Sequence, residues 1–265
     1  MKTCLIIGGS SGIGEATAKR FSSSGYDVTN LSRRPCTVAG VKNILCDVSD
    51  KEAYGQELTK YAQGVGRLDV LVYSAGFSMS APLEYVEEAD VRYLYEVNFF
   101  GFLFAVKRLL PVLRQGRGTA CVVSSLGALV PIAYDAFYTS SKAAVNALIR
   151  ALRLELSKKG VKALAVMPGG TATDFTFKRK VYKRQSVGDY RRDLVSATRF
   201  LQKTEQSGQS PEAVSKVVFR LCARKKQGVY TSGFINKCAA LLATIVPQGL
   251  LSRAEAFFYF RLGKK

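Results

Sequence analysis

The sequence predicts an α/β protein, a single domain built on a doubly wound parallel sheet of about seven strands with helices on both faces. Apolar, β-branched segments alternate with helical segments along the 265-residue chain, which is typical of parallel sheets with right-handed crossovers. The chain also opens on a short apolar strand that leads directly into a glycine-rich turn and a helix. Its length suits one domain with a sizeable core.

Each element is indicated by its own pattern. Short apolar runs predict strands at about residues 3–7, 27–31, 43–46, 69–73, 119–124, 161–167 and 228–232. Helical stretches are predicted between them, at about 14–24, 50–63, 88–114, 136–158 and 210–224. Residues 1–170 therefore form a predicted cofactor-binding and catalytic core. Residues 174–208 are a long polar insertion, and loops of this length in compact domains are usually lids or binding loops.

The first turn of the chain has the character of a phosphate cradle. Gly8, Gly12 and Gly14 follow the opening strand in the spacing GxxxGxG, just before a helix begins. Glycines let the backbone approach a pyrophosphate, and a helix N-terminus offers free N–H groups and a favourable dipole. An ordinary glycine turn is the alternative. The position of the spacing, directly after an opening strand, favours a dinucleotide site.

Tyr138 and Lys142 lie four residues apart on one face of a predicted helix, and Ser125 precedes the tyrosine by thirteen residues. A neighbouring ammonium lowers the pKa of a phenol from its usual value of about 10. Tyr138 is therefore expected to exchange a proton with a carbonyl and its alcohol. A capping serine, a packed tyrosine and a surface lysine are each common singly. The catalytic interpretation therefore depends on the three residues occurring together.

These motifs together resemble the classical short-chain dehydrogenase/reductase family over roughly residues 1–235. The resemblance implies a Rossmann-type fold and a nicotinamide cofactor. It also implies a catalytic tetrad, which consists here of Asn98, Ser125, Tyr138 and Lys142. The chain departs from the family pattern at Ile7, where the family has threonine, and at Tyr73-Ser74, where the family has two asparagines. These departures concern local packing more than chemistry.

The resemblance also implies a set of cofactor-binding residues. The glycine turn contributes Gly8, Ser10, Ser11, Gly12, Ile13 and Gly14. The ends of the second and third strands contribute Ser32, Arg33, Arg34, Asp47 and Val48. The end of the fourth strand contributes Ser74, Ala75 and Gly76. A later Pro-Gly segment contributes Pro168, Gly169, Thr171 and Thr173, and the tetrad contributes Asn98, Tyr138 and Lys142.

Charge favours NADP(H) over NAD(H) as this cofactor. An NAD-specific site holds the ribose hydroxyls with an acid at the end of the second strand, and Ser32-Arg33-Arg34 stands there without one. Two guanidinium groups suit the 2′-phosphate of NADP(H), because arginine forms bidentate, charge-assisted hydrogen bonds. A solvated basic turn is the alternative, since basic residues are frequent throughout the chain.

The mechanism implied by the resemblance assigns each tetrad member a role. NADPH delivers hydride to a substrate carbonyl carbon, while Tyr138 donates a proton to the carbonyl oxygen that Ser125 orients. Lys142 lowers the tyrosine pKa and holds the nicotinamide ribose, and Asn98 bends its helix and positions a proton-relaying water. Ser125, Tyr138 and Phe175 are then the expected substrate-binding residues.

The sequence constrains the substrate less tightly. The net charge is +19, from 39 basic and 20 acidic residues, and the 174–208 lid interleaves basic and aromatic side chains. These are Lys178, Arg179, Lys180, Lys183, Arg184, Arg191 and Arg192, with Phe175, Phe177, Tyr182 and Tyr190. Such a lid suits an amphipathic acid, an acyl thioester or anionic lipid headgroups. Nucleic acid is not expected, because no nucleic-acid motif accompanies the charge.

Residues 236–265 form an apolar tail with basic flanks. Cys238 to Ser252 is uncharged and interrupted by Pro247 and Gly249, so it is shorter than the stretch of about 20 residues that spans a bilayer. The tail fits peripheral membrane contact through an interfacial helix, a subunit interface, or packing over the substrate pocket. The family is usually dimeric or tetrameric, so a homodimer or homotetramer is expected.

The cysteines and the lack of histidine limit the metal sites and the cellular compartments that the sequence suits. The six cysteines show no CxxC or metal-ligand spacing and the chain has no histidine, so no metal site is expected. No signal-peptide pattern follows Met1, and free thiols fit a reducing compartment. A cytoplasmic location is therefore expected, with membrane association left open.

Three functions remain. The favoured one is an NADP(H)-dependent oxidoreductase that interconverts a ketone and a secondary alcohol on a hydrophobic substrate, such as a steroid, a bile acid or a long-chain keto-lipid. A 3-oxoacyl thioester or a small ketone is the alternative substrate. An NADP-binding regulatory protein would keep the fold without turnover, but the intact tetrad argues against it. Charge alone suggests a module that binds membranes or nucleic acid.

Overall fold

A computed structural model describes residues 1–182 and 187–260 of the chain. Its strands are β1 Lys2–Ile7, β2 Tyr26–Ser32, β3 Lys42–Leu45, β4 Val70–Tyr73, β5 Met79–Ser80, β6 Thr119–Val123, β7 Lys162–Met167, β8 Lys180–Val181 and β9 Gly228–Thr231. Seven of these form one parallel sheet in the order β3-β2-β1-β4-β6-β7-β9. The short strands β5 and β8 pair separately.

Helices cover both faces of the main sheet. They are α1 Gly12–Ser23, α2 Lys51–Val65, α3 Glu88–Tyr95, α4 Gly101–Gly116, α5 Ala136–Ser157, α6 Arg191–Gln206, α7 Pro211–Ala223, α8 Phe234–Ile245 and α9 Gln248–Phe260. One core cluster joins the sheet to α2, α4 and α5. A second joins its opposite face to α1 and α7. The predicted fold class is confirmed.

The central strands are buried along their whole length because helices cover both faces. All four residues of β4 and all five of β6 are buried, as expected for apolar, β-branched strands inside a parallel sheet. The register places Ile7 beside Leu31 on one side and beside Tyr73 on the other. The carboxyl ends of β2, β1 and β4 thus meet at one edge, where ligands bind in folds of this kind.

The structure refines three predicted segments. The helix predicted at 88–114 is divided, because a widened π-helical turn at Glu96–Phe100 separates α3 from α4. The polar insertion at 174–208 contains β8 and α6, with Lys183 and Arg184 outside the described residues. The tail contains α8 and α9, and its last residues, 261–265, are also outside them. Within the described ranges, no helix has both the length and the apolar character to cross a bilayer.

Candidate active site

The glycine turn after β1 is too tight for side chains. Gly8 has a φ of +87°, and a Cβ there would lie 2.5 Å from the backbone nitrogen of Ala75. A Cβ on Gly14 would lie 2.0 Å from the carbonyl oxygen of Gly8. The backbone therefore folds closely on itself at the N-terminus of α1, where Ser11 caps the helix without a side-chain hydrogen bond. This shape fits a pyrophosphate against bare amides.

Asn30, a buried residue of β2, braces this turn. Its Oδ1 accepts a hydrogen bond of 2.8 Å from the Gly9 N–H, and its Nδ2 donates to Ser32 Oγ and to Asn43 Oδ1. Sequence reasoning missed this residue, since β2 contains several polar side chains and nothing local distinguishes Asn30 among them. Ile7, which replaces the family threonine, is fully buried, and its carbonyl accepts hydrogen bonds from Ser74 and Ala75.

The ends of β2 and β3 carry the groups expected near an adenosine ribose. Arg33 and Arg34 are exposed, and Arg33 Nη1 lies 3.7 Å from Asp47 Oδ2. The other carboxylate oxygen of Asp47 accepts from the Ser49 N–H and hydroxyl. The Ser32 hydroxyl donates to the Arg34 carbonyl. Asp47 thus helps to hold Arg33 at this edge of the sheet, while Val48 packs partly buried against the core.

Asn98 occupies the widened turn between α3 and α4 and is fully buried. Its Oδ1 accepts from the Phe77 N–H at 3.1 Å, and its Nδ2 donates to the Phe77 carbonyl at 3.0 Å and to Ser141 Oγ at 3.2 Å. A Cβ on Gly76 would lie 3.1 Å from Asn98 Oδ1 and 3.5 Å from Lys142 Nζ. The bare glycine therefore leaves space between the amide and the ammonium.

Ser125, Tyr138 and Lys142 converge beside Asn98. Lys142 Nζ donates to the Val123 carbonyl at 3.0 Å and lies 5.7 Å from the centre of the Tyr138 ring. The Ser125 hydroxyl accepts from the Gly127 N–H and hydrogen-bonds the Tyr138 side chain. Tyr138 and Lys142 are buried, whereas Ser125 is half-buried. All four tetrad positions predicted from the sequence thus lie in one place.

The pKa values of the buried pair move in opposite directions. Burial raises the pKa of Tyr138 above its usual value, and its hydrogen bond with Ser125 opposes that change. Burial also lowers the pKa of Lys142 to about 8. The pKa of Tyr138 moves opposite to the sequence-based expectation, because removing the phenolate from water outweighs the hydrogen bond with Ser125 and the charge of Arg179, which favour the phenolate. A protonated Tyr138 is nevertheless the form that a proton donor requires.

The Pro-Gly segment after β7 faces the glycine turn. A Cβ on Gly12 would lie 3.3 Å from Thr173 Cγ2, so the two segments approach each other closely. The Pro168 carbonyl accepts from the Leu126 N–H, and the Thr171 hydroxyl donates to the Gly169 carbonyl. The first contact fixes this segment next to the loop that carries Ser125, and the second holds the turn within the segment itself.

Phe175 lies just beyond this segment and packs against Tyr138, with ring centres 5.9 Å apart. Tyr138 and Phe175 belong to an apolar cluster that also contains Met79, Leu94 and Tyr182. The side of the tyrosine that faces the 174–208 segment is therefore lined by apolar groups. This surrounding suits a hydrophobic substrate better than a small polar one.

Arg179 is not part of a solvated basic lid, contrary to the sequence-based interpretation. Its side chain is 1% exposed and is held by Glu205, Ser78 Oγ and Asp135, with Nε 3.8 Å from Asp135 Oδ2. Asp135 begins α5, the helix that carries Tyr138. Burial raises the pKa of Asp135 to about 7, and the Arg179 guanidinium opposes this. A buried ionic cluster therefore ties the 174–208 segment to the start of α5.

The tail divides into a packed part and an exposed part. Near the end of α9, the Tyr259 carbonyl accepts from Ser196 Oγ, and the rings of Tyr259 and Phe260 contact Phe200 and Tyr134. Large apolar side chains elsewhere in both helices are exposed. These are Phe234, Ile235, Leu241, Leu242, Ile245, Leu250, Phe257 and Phe258.

The sequence matches a known family. The sequence profile described as short chain dehydrogenase matches residues 2–183. This chain belongs to the short-chain dehydrogenase family. A relative named 3-ketodihydrosphingosine reductase, from Bacteroides thetaiotaomicron, is 30% identical over 260 residues, covering 96% of this short-chain dehydrogenase and 97% of the relative.

Two further comparisons extend this result. An NADPH-dependent 1-acyldihydroxyacetone phosphate reductase of Schizosaccharomyces pombe is 35% identical over 181 residues, which are 65% of this short-chain dehydrogenase and 60% of that enzyme. The crystal structure of a short-chain dehydrogenase from Streptomyces avermitilis superposes with a TM-score of 0.80 at 26% identity, covering 99% and 98% of the two chains. In residues 1–182 and 187–260, no group of three or more potential ligands could hold a metal ion.

Proposed function

We propose that this short-chain dehydrogenase uses NADP(H) to interconvert a ketone and a secondary alcohol on a long-chain keto-lipid. The observation that carries the proposal is the convergence of Ser125, Tyr138, Lys142 and Asn98 at the sheet edge that also holds the glycine turn. Of these residues, Tyr138 can exchange a proton with the substrate, and Lys142 and Asn98 can support a proton relay. They lie next to a surface shaped for a dinucleotide.

The residues present fit a nicotinamide dinucleotide. The glycine turn and the N-terminus of α1 would hold the pyrophosphate, because the turn can fold this tightly only without side chains at Gly8 and Gly14. Arg33 and Arg34 would hold the 2′-phosphate. The segment from Pro168 to Thr173 would contact the carboxamide, and Lys142 the nicotinamide ribose. This arrangement supports NADP(H) over NAD(H), because two arginines and no acid directly follow β2.

When bound at this site, NADPH would supply a hydride to the carbonyl carbon in the reductive direction. Tyr138 donates its phenolic proton to the carbonyl oxygen, which becomes the alcohol hydroxyl, and Ser125 hydrogen-bonds that oxygen and orients it. Lys142 stabilises the phenolate that remains. Asn98 holds the relay that returns a proton to Tyr138 through Lys142. One hydride and one proton are consumed for each alcohol formed.

Two observations support a keto-lipid as the substrate. Tyr138 is packed in an apolar, aromatic cluster, which suits a hydrophobic chain next to the carbonyl. The relative that matches almost the whole chain is named for reduction of a keto-sphingoid base, and a second is named for an acyl ketone phosphate. Both names describe a ketone with a long apolar chain and a polar head, which a steroid lacks.

The exposed apolar face of α8 and α9 supports a second element of the proposal, contact with an anionic membrane surface. Residues 234–254 contain Lys237 and Arg253 and no acidic residue, and Glu255 follows them in α9. The exposed apolar side chains of α8 therefore have only a positive charge within their own helix. Such a face suits an interfacial helix that binds anionic lipid. A subunit interface in a homodimer or homotetramer is the competing use of the same face.

A ketone panel tests the proposed reaction. The purified protein is supplied with NADPH or NADH and with a keto-sphingoid base, an acyldihydroxyacetone phosphate, a ketosteroid or a 3-oxoacyl thioester, and absorbance of the reduced cofactor is followed. We expect the highest kcat/KM with NADPH and one of the two keto-lipids. Preference for the steroid or the thioester would contradict the substrate assignment. NADPH binding without turnover of any ketone would favour a regulatory protein.

A further inference from the structure

The tyrosine at the end of β4 is a buried polar group that the mechanism above does not use. Tyr73 is fully buried and stands where the family has asparagine. Its hydroxyl donates a hydrogen bond to the carbonyl oxygen of Val97. Val97 immediately precedes Asn98, so this contact lies one peptide unit from a tetrad member.

The widened turn explains why the Val97 carbonyl needs a donor from outside its helix. In a regular α-helix the Gly101 N–H would bond to the carbonyl four residues back, which is that of Val97. Here the Gly101 N–H donates to Glu96, five residues back. A buried carbonyl without a partner is unfavourable, and the Tyr73 hydroxyl replaces the donor that the π-helical turn removes.

The residues around Tyr73 leave room for its phenol and hold it against the Val97 carbonyl. A Cβ on Gly101 would lie 2.1 Å from the Tyr73 hydroxyl oxygen, so only glycine at position 101 admits the phenol. On the other side, the Tyr73 ring packs edge-on against Phe102, with ring centres 5.8 Å apart. The hydroxyl is therefore held in place against the turn.

The contact bears directly on Asn98 because the Val97 carbonyl and the Asn98 N–H belong to one planar peptide unit. Fixing that carbonyl fixes the direction in which the backbone enters Asn98. The Asn98 side chain then reaches Phe77 and Ser141 at hydrogen-bonding distance, close to Lys142 Nζ.

We propose that Tyr73 is a positioning residue for Asn98, acting through its hydrogen bond to the Val97 carbonyl. Its effect on turnover rests on the proposed function, whereas its effect on the local backbone does not. Its hydroxyl contacts the Val97 carbonyl and its ring packs against Phe102, whereas the cofactor-binding residues predicted at the end of β4 begin at the next position, Ser74. Tyr73 replaces the asparagine of the family. Its hydroxyl orients the peptide unit that leads into Asn98, and Asn98 in turn holds the proposed proton relay.

Tyr73→Phe tests the proposal, since phenylalanine keeps the ring against Phe102 and removes only the hydroxyl. We expect kcat for ketone reduction to fall by at least about tenfold, because small displacements of catalytic groups reduce rates strongly. The KM for the ketone and the Kd for NADPH should stay within about twofold of wild type, since no binding contact is removed. Amide hydrogen exchange of residues 96–100 should become faster.

Tyr54→Phe is the matched control. The Tyr54 hydroxyl is also buried, and it donates to the carbonyl of Gly101 at 2.9 Å, three residues beyond Asn98. This variant should lose similar stability but keep its kcat and its exchange at 96–100. A kcat for Tyr73→Phe within about twofold of wild type, or an equal loss in both variants, would overturn the proposal.

The exchange measurement separates this proposal from the proposed function. If the wild-type protein reduced no ketone, the proposed function would fail and exchange at 96–100 alone would decide the role of Tyr73. Faster exchange in Tyr73→Phe and not in Tyr54→Phe supports the positioning role. Equal exchange in the two variants contradicts it.

Discussion

Tyr138 and Lys142 experience the same burial with opposite effects on their proton affinities. A buried site disfavours any charged form, so the pKa of the phenol rises and the pKa of the ammonium falls to about 8. A neutral phenol is ready to donate its proton during reduction. A lysine that titrates near pH 8 can give up a proton and regain it, as a relay requires.

The alkaline side of the pH profile should therefore report Lys142. Below pH 8 the ammonium is charged and can return a proton to Tyr138, and above it the neutral amine cannot. We expect kcat/KM for ketone reduction to be flat below about pH 7.5 and to decline towards tenfold per pH unit above 8. Initial rates from pH 6 to 10 measure this, and a flat profile up to pH 10 would contradict it.

The titration of Lys142 does not destabilise the fold at alkaline pH, so unfolding from this cause would not explain the decline in kcat/KM. Between pH 8 and the ordinary lysine pKa of 10.5, the unfolded chain binds one more proton at this group than the folded chain. The contribution of Lys142 to the free energy of unfolding therefore increases with pH over that range. A melting temperature recorded at each pH is the control. A Lys142→Arg variant with residual activity should lack the decline, because its guanidinium stays charged.

At the scale of elements, the 174–208 segment is joined to α5 by the cluster of Arg179, Asp135 and Glu205. The sequence could predict the glycine turn and the Tyr138–Lys142 pair because both depend on local spacing. It could not predict this cluster, whose members are separated by 26 residues or more. Arg179 lies between two lysines, so it resembles its solvated neighbours until the fold brings the acids to it.

The same limit applies to the turn at Asn98. The residues of 88–114 have ordinary helical periodicity, and the π-helical turn is held by hydrogen bonds with Tyr73 and Phe77, which belong to a different part of the chain. The structure brings the four predicted tetrad positions together, and it divides the helix predicted at 88–114 by a widened turn at its centre. The resemblance to the family supplied Asn98, whereas local propensity supplied no signal for the turn.

Arg179→Met should destabilise the protein strongly. It would leave the buried Asp135 and the partly buried Glu205 without their cation, and breaking a buried ion pair costs about 3–5 kcal/mol. Lys178→Met is the matched control, because Lys178 is partly exposed and pairs with Asp174 at 3.4 Å, a surface contact that contributes about 0–1 kcal/mol. Urea unfolding measures both. Equal midpoints for the two variants would show that the cluster does not hold the segment.

At the scale of the whole molecule, the candidate site and the exposed apolar helices lie close together. Asn236 of α8 approaches the Pro-Gly segment, since a Cβ on Gly169 would lie 2.3 Å from Asn236 Oδ1. The end of α9 contacts Tyr134, next to the start of α5. A lipid substrate that leaves a bilayer at this face would have a short path to Tyr138, and the net charge of +19 would favour an anionic surface.

Replacing Leu241, Leu242 and Ile245 together with glutamine should abolish binding to vesicles. All three are more than half exposed, so the change removes apolar contact with lipid and leaves the packed part of α9 intact. Flotation with vesicles containing phosphatidylserine measures binding, which should weaken as salt is raised. Leu45→Gln, an equally exposed change at the edge strand β3, is the control. A changed oligomeric state with unchanged flotation would assign the face to a subunit interface.

The measurement that tests the central claim most directly is the turnover of Tyr138→Phe beside its affinity for NADPH. The variant keeps the ring against Phe175 and removes only the proton donor. We expect ketone reduction to fall by at least about 100-fold, with the Kd for NADPH within about twofold of wild type. Near-normal turnover by Tyr138→Phe would contradict the account, because another group would then have to supply the proton.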